Sequence, residues 1–394
     1  MLKVGEFFSG YGSQSLSLKY LNIEHEVVCT SEIDIDAILS YGVLRFNLNE
    51  DTNVTNKHMI KYLKNRNIGV NLKTNKCTKI DKLDDVTLRK LYNATIKANN
   101  FGDISLIEPN VLPDMDLMTY SFPCVAISRA GKMKGMKENS NTKSSLIHEC
   151  KKIIHMKKPK YLLMENVSDL ICKKHIDDFN DWIQWLNDEG YVSNYKVMKG
   201  SDYGIPQNRE RVFMVSILNG KEFEFPIENK NSIILSDLLE EDIKMYKYHD
   251  VMNGIVDKEC PFTDKYLNLI YEEDDEIRIK QNVKKGYIVF NPKNGIGVCD
   301  LSYPTSKLRR GRVQNDGDYC PTLTASSQAL CVLDKELNFR KFTNREEFRL
   351  MGMKDEDIDK LFTLNLKYDT YHKLAGNSIV INCLNEIFSK LLIE

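Results

Sequence analysis

Three short segments place a cysteine, a glutamate and two arginines where they could act together. Cys124 closes Ser121-Phe122-Pro123-Cys124, directly after an apolar run that reads as a strand. Glu165 stands in Met164-Glu165-Asn166-Val167, after another such run, and Arg209 and Arg211 lie in Gln207-Asn208-Arg209-Glu210-Arg211. A thiolate is a strong nucleophile, and the carboxyl ends of strands are where open α/β sheets bind ligands. Most lone cysteines are buried and inert, and only the neighbouring segments shift the weighting here. Glu165 is expected beside Cys124 at the same sheet edge, where a carboxyl group can hold or deliver a proton. Two arginines two apart before a strand point to one side, which suits a carbonyl oxygen and a phosphate.

A second group of residues suits a nucleotide-like ligand. Phe8-Ser9-Gly10-Tyr11-Gly12-Ser13 follows the first strand, and its glycines let backbone approach a ligand closely. The third glycine of a dinucleotide fingerprint is missing near Ser15, so the run alone fits a plain turn equally well. Glu32 ends the second strand, a place that suits a carboxylate bonding a pair of ribose hydroxyls. An isolated glutamate there is more commonly a solvated loop acid.

These residues need a scaffold, and the chain's alternation supplies one. Strand-like runs at Lys3–Phe8, Glu26–Thr30, Asp116–Tyr120, Tyr161–Met164, Tyr191–Met198 and Arg211–Ile217 are interleaved with helical patterns at Asp36–Phe46 and Ser144–His155. That order predicts a parallel α/β sheet. Residues from about 47 to 100 are Asn/Lys-rich and read as an insertion, helical in places. After Asn219 the alternation is lost, and the stretch to Gly317 mixes an acidic run (Glu272–Glu276) with Lys307, Arg309, Arg310 and Arg312. The tail Lys373–Leu392 reads as an apolar helix.

Composition bounds the class. The chain has 394 residues, 42% hydrophobic and 28% charged, with a net charge of −1, as expected of a soluble globular protein. No apolar run approaches membrane-spanning length, and MLKVGEFFSGYG reads as a first strand rather than a signal peptide. The ten cysteines are scattered without CxxC pairs or zinc spacing, so reduced thiols in a cytoplasm and no metal are expected. A nucleic-acid surface would have to come from local clustering of charge.

Taken in order, the segments resemble the DNA cytosine-5 methyltransferase family. Phe8–Gly12 resembles its cofactor loop, Ser31-Glu32 its ribose-binding acid, and Gly102-Asp103-Ile104 the acid that holds the adenine amino group. Pro123-Cys124 resembles the nucleophile motif, Glu165-Asn166-Val167 the acid motif, and Gln207–Arg211 the Gln-x-Arg-x-Arg motif. Pro321-Thr322-Leu323-Thr324 resembles the segment that re-enters the catalytic side, and Ala375-Gly376-Asn377-Ser378 the last motif, beside the cofactor. Each motif is short; their common order carries the resemblance. Val125 and Ile127 stand where the family usually has Gln and Phe, Glu6 where it has Asp, and Ile33 where it has an aromatic. None of these removes a group that does the chemistry.

The resemblance implies a doubly wound, Rossmann-like α/β methyltransferase domain with a smaller target-recognition domain, and S-adenosylmethionine as cofactor. Residues 1–218, with the insertion, would form the catalytic domain, completed by a helix over 372–394, and residues 219–371 would read the target. Phe8, Gly10, Tyr11, Gly12, Ser13, Glu32, Ile33, Asp103, Ile104, Pro123, Asn377 and Ser378 would line the cofactor. Cys124 would add to carbon 6 of cytosine and make carbon 5 electron-rich, dividing one hard step into two. Glu165, with a pKa raised by burial, would protonate ring nitrogen 3 and grip the exocyclic amino group. Arg211 would take the base's carbonyl oxygen, with Arg209 supporting the site or binding a phosphate.

None of these atoms is reachable inside a duplex, so the base must flip out, at a cost of a few kcal/mol. The loop Val125–Asn141 is expected to close over it, with Lys132 and Lys134 on phosphates and Ser128 or Arg129 entering the gap. Arg309, Arg310 and Arg312 are expected to meet phosphates or a guanine edge, with a solvated loop as the alternative. Thr322 is expected near DNA, and Tyr271–Glu276 to face away from it. Double-stranded DNA is the expected partner and a monomer the expected form. The expected setting is the cytoplasm of a bacterium or phage-infected host, with a cognate restriction endonuclease as functional partner. Rival readings are a tRNA cytosine-5 methyltransferase on the same fold and a catalytically inactive DNA-binding regulator. The first is opposed by the absence of an uninterrupted Cys-Phe-Thr, the second by intact Cys124, Glu165 and Arg211.

Overall fold

A computed structural model describes residues 1–49, 53–70, 77, 79–123, 146–229, 233–255, 259–260, 262, 264–281, 286–292, 295–302, 305, 312–314, 319–326 and 329–393. The chain opens with β1 (Leu2–Phe7), α1 (Ser13–Tyr20), β2 (His25–Ser31) and α2 (Ile35–Arg45). Asp34 caps α2, its carboxylate accepting from the backbone N–H groups of Asp36 and Ala37. The insertion contributes α3 (Asn56–Lys64) and α4 (Asp85–Lys97). Their Met59, Leu63, Leu88 and Leu91 share a small core with Ile35, Ile38 and Leu39 of α2. Then follow β3 (Leu117–Tyr120), α5 (Ile147–Lys157), β4 (Tyr161–Val167), α6 (Ile176–Asp188), β5 (Tyr191–Lys199), β6 (Gln207–Asn208) and β7 (Glu210–Leu218).

Six of these strands form one sheet in the order β2-β1-β3-β4-β7-β5. β1, β2, β3 and β4 are parallel, and all four residues of β3 are buried, as a strand covered on both faces requires. The sheet is not parallel throughout, as the alternation predicted: β7 runs antiparallel to both β4 and β5. That reversal matters for the site. In a parallel sheet the residues just before a strand lie at the opposite edge from the strand ends. Because β7 is reversed, its first residues arrive at the edge where β1, β3 and β4 finish.

The second unit contains β8 (Tyr246–Lys247), α7 (Tyr248–Met252), α8 (Asp264–Leu267), β9 (Ile270–Glu273), β10 (Glu276–Lys280), β11 (Tyr287–Val289), β12 (Ile296–Asp300), β13 (Arg312–Gln314), β14 (Cys320–Pro321), β15 (Leu330–Asp334) and β16 (Asn338–Lys341). A five-stranded sheet, β13-β12-β15-β16-β8, and a three-stranded one, β11-β10-β9, share a core of Ile270, Ile279, Phe290, Cys331, Leu333 and Phe339. The acidic run Glu272–Glu276 proves to be the tip of the β9–β10 hairpin. Asp274 and Asp275 both take positive φ there, the backbone that two-residue hairpin turns need.

The chain returns to the first unit through α9 (Asn344–Arg349), α10 (Asp355–Phe362), α11 (Tyr368–Asn377) and α12 (Ile381–Leu392). Thr343 and Glu346 cap α9 reciprocally: Thr343 Oγ1 accepts from the Glu346 N–H at 3.2 Å, and Glu346 Oε2 from the Thr343 N–H at 2.9 Å. Phe348, Ile358, Leu361, Leu384 and Phe388 lie in one core with Val4, Leu16 and Leu18. Cys320, Leu323 and Phe342 belong to the same core and β14 pairs with β6, so the segment ahead of α9 already packs on the first unit. Among the described residues no helix is long and apolar enough to cross a membrane.

Candidate active site

Glu165 lies near the carboxyl end of β4 and is buried. Across the antiparallel ladder Val167 pairs with Arg211, so Arg211 and Glu165 share a face diagonally. Arg211 Nε is 3.1 Å from Glu165 Oε1, and Arg211 Nη1 donates to the Glu210 carbonyl at 2.7 Å. Burial raises the Glu165 pKa, and the charges of Arg211 and Arg209 and the Ser121 hydroxyl offset only part of that rise. Next to it, Asn166 Nδ2 donates to the Phe122 carbonyl at 3.0 Å. The strand that carries the acid thus holds the backbone two residues before Cys124. Cys124 itself lies outside the described residues, as do Val125, Ile127, Ser128, Arg129, Lys132, Lys134, Arg309 and Arg310. Pro123 is described and half-buried; Arg312 is described only as backbone, in β13.

Gln207 and Arg209 have a different task from Arg211. Gln207 Oε1 accepts from the Leu323 N–H at 3.0 Å, and its Nε2 donates to the Leu350 carbonyl at 2.7 Å. Arg209 is buried and donates to the carbonyls of Leu323 (2.6 Å), Gly376 (3.1 Å) and Ser378 (2.7 Å). Both polar groups of the Leu323 backbone are therefore satisfied by this one motif. Of the two roles expected for Arg209, support of the site or a phosphate contact, the geometry fits the first: its guanidinium joins β6, the segment 321–324 and the end of α11. Thr322, expected near DNA, donates its hydroxyl to the Asn208 carbonyl at 2.6 Å. Gly376 is needed because a Cβ there would come within 2.3 Å of the Ala325 backbone nitrogen.

At the other end of the same edge, Phe8, Gly10 and Gly12 all have positive φ, and a Cβ at Gly10 would meet nothing within 4 Å. This leaves bare backbone facing open space at the end of β1. Glu32 Oε2 accepts from the Gly10 N–H at 3.0 Å, while Oε1 accepts from Ile33 and Asp34 at 2.8 and 2.9 Å. Burial raises the Glu32 pKa against these backbone hydrogen bonds. The cradle, the half-buried Glu32 carboxylate and the acid Asp103 fit an adenosyl group in position and donor chemistry. Tyr11 differs from expectation: its ring is in the core against Phe348, and its hydroxyl meets Ser378 Oγ at 2.5 Å. Ser13 is buried at the start of α1, and Asn377 is exposed at the end of α11.

Two departures from the motif acquire a reason here. Glu6 accepts from Ser15 N–H at 2.9 Å and from Tyr41 Oη at 2.7 Å, so the longer acid ties β1 to α1 and α2. Ser15, where a third glycine was missing, carries a hydroxyl that accepts from Arg45 Nε at 3.1 Å. Arg45 also donates to the carbonyls of Tyr11 and Gly12, at 3.0 and 2.6 Å, and so braces the loop from beneath. Sequence reasoning missed Arg45 and Asn100. Asn100 Oδ1 accepts from the N–H groups of Glu32 and Gly102, each at 3.0 Å, and links the two acids. A lone polar side chain at a helix end or in a loop has no periodic signal, so only the fold reveals it.

Comparison with known proteins decides the family. The model of the C-5 cytosine-specific DNA methylases matches residues 56–392. The chain belongs to this family. It is a sequence-specific DNA cytosine-5 methyltransferase. The methylase is 39% identical to the Type II methyltransferase M2.ScrFI of Lactococcus lactis subsp. cremoris, with 99% of each chain covered. It is 31% identical to the orphan methyltransferase M.SssI of Spiroplasma monobiae, over 99% of this chain and 97% of that one. Among solved structures, S. pombe Dnmt2 methyltransferase aligns with a TM-score of 0.53 at 16% identity, covering 100% of this chain and 99% of that one. The Entamoeba histolytica methyltransferase EhMeth aligns with a TM-score of 0.55 at 16% identity, covering 100% and 98%. At that identity the structural likeness speaks for the fold alone: an α/β methyltransferase fold with a mixed sheet.

Proposed function

We propose that the methylase acts on a cytosine flipped out of duplex DNA, with Cys124 as covalent nucleophile and Glu165 as the acid on ring nitrogen 3. The observation that carries this reading is the buried Glu165 with its raised pKa, held 3.1 Å from Arg211 on the strand that also anchors Phe122. The Cys124 thiolate adds to carbon 6 while Glu165 supplies a proton to nitrogen 3, so no charge is stranded on the ring. Arg211 orients Glu165 and meets the carbonyl oxygen of the base. S-adenosylmethionine supplies an electrophilic methyl group for carbon 5. A base or water then takes the carbon 5 proton, the thiolate leaves carbon 6, and nitrogen 3 returns its proton to Glu165, which restores the ring.

Glu32 would bond the ribose hydroxyls, Asp103 the adenine amino group, and the backbone of residues 8–13 would cradle the remainder beside Ile33, Ile104, Pro123, Asn377 and Ser378. Ser128, Arg129, Lys132 and Lys134 would close on the DNA, and β8 to β16 with Arg309, Arg310 and Arg312 would read the target. We place the enzyme, as a monomer, in the cytoplasm of a bacterium or phage-infected host. The Type II name of one relative supports a cognate restriction endonuclease.

The test is incubation with tritiated S-adenosylmethionine and either mixed-sequence duplex DNA or total tRNA, with Cys124→Ser alongside. Label at cytosines of one short DNA motif, located by bisulfite sequencing and lost in the variant, is expected. A Cys124→Ser variant that still labels DNA would overturn the nucleophile assignment, and label in tRNA alone would overturn the substrate.

A further inference from the structure

The insertion between the two acids of the cofactor site reaches back to both. After α3 the chain turns through Arg66, Asn67, Ile68 and Gly69. The Gly69 N–H donates to the Ile33 carbonyl at 2.8 Å, and the Arg66 carbonyl accepts from the Asp103 N–H at 2.9 Å. Gly102 has a φ of 77°, and a Cβ there would lie 2.1 Å from the Arg66 oxygen, so the two segments touch backbone to backbone. The turn is held from its far side: Arg66 Cζ sits 3.6 Å from the Tyr62 ring centroid, and Tyr62 packs edge-on to Tyr92 of α4 at 5.3 Å.

Asn67 completes the contact. Its Nδ2 donates to Asp103 Oδ2 at 3.0 Å. Asp103 Oδ1 accepts from the Ser105 N–H at 3.0 Å and its hydroxyl at 2.8 Å. A carboxylate oxygen has two acceptor positions. Oδ1 is therefore full, and among the described residues Oδ2 accepts from Asn67 alone. Among the described residues one acceptor position of Asp103 remains, with the carboxylate's rotation fixed from both sides. Asparagine also suits the φ of 53° at this residue, a left-handed backbone that few other side chains accept.

We propose that the turn Arg66–Gly69 is a wall of the adenine subsite and that Asn67 is a positioning residue, aiming the remaining acceptor of Asp103 at the adenine amino group. This rests on the reading of Asp103 as the adenine acid. It gives the insertion a role in cofactor selectivity.

Titration calorimetry of the full chain with S-adenosylhomocysteine and with S-inosylhomocysteine, which carries an oxygen in place of the amino group, tests it. Asn67→Gly removes the amide and tolerates the left-handed backbone. Asn67→Asp keeps the shape but sets a second carboxylate against Asp103, so the test does not hang on one variant's folding. The preference for the amino ligand is expected to narrow about five-fold in Asn67→Gly, and further in Asn67→Asp. An unchanged ratio in both variants, even with both affinities lowered together, would overturn the inference. Asp103→Ala run in parallel separates the two readings. If it abolishes the preference while the Asn67 variants keep it, only the positioning role fails; if it keeps the preference itself, the adenine reading of Asp103 fails and the inference with it.

Discussion

Glu165 is buried and paired with an arginine, two conditions that pull its proton affinity in opposite directions. Burial wins, so the folded protein keeps this proton at a pH where an unfolded chain has lost it. Two consequences follow from that sign. Methyl transfer that needs the protonated acid should decline as pH rises through the raised value, above the ordinary glutamate range. The group's contribution to stability should also fall as pH rises from about 4.3 towards that value. Glu165→Gln should lower kcat/KM by about 10²- to 10⁴-fold without unfolding the enzyme. A loss under ten-fold, measured by steady-state methylation, would exclude an acid role. Arg209 makes the opposite case, a motif residue whose donors end on three carbonyls. Arg209→Lys cannot span them, and should cost about 3 kcal/mol of stability, read from the urea midpoint.

Among the elements, the direction of β7 decides whether Arg211 can meet Glu165. Both residues were visible as candidates, but a parallel sheet would have parted them. The antiparallel register, with Val167 opposite Arg211, joins them. Gly376 plays a similar part between α11 and the segment 321–326, where two backbones come too close for any side chain. Gly376→Ala should lower stability by about 1–3 kcal/mol, because the clash is with backbone and cannot be relieved by a rotamer change. Thermal unfolding checks this, and an unchanged midpoint would show that the two segments can separate freely.

For the whole molecule, the return of the chain matters most. α9 to α12 close the core begun by β1 and α1, and His372 on α11 meets Glu347 on α9 at 2.6 Å inside it. Burial lowers the His372 pKa, but the hydrogen bond and charge of Glu347 outweigh it and the net shift is upward. The folded form then holds this proton more tightly than the unfolded one. The resulting stability is full below about pH 6.5 and is lost as pH rises through the folded value. Urea midpoints measured across that window should fall in the wild type and be flatter in His372→Gln. Parallel curves would show that the pair does not titrate there.

The chain's own residues determined the alternating α/β order, the candidate nucleophile and acid, the cofactor loop and the family, because strand ends, glycines and short polar motifs are local features. Tertiary structure alone decided which motif arginine faces the acid. It also decided that the acidic run is a hairpin tip, that the segment 320–324 packs against β6 and the first core, and that Asn67 and Asn100 brace the cofactor acids. Those outcomes depend on strand direction and on contacts between residues far apart in the chain, for which local spacing holds no signal.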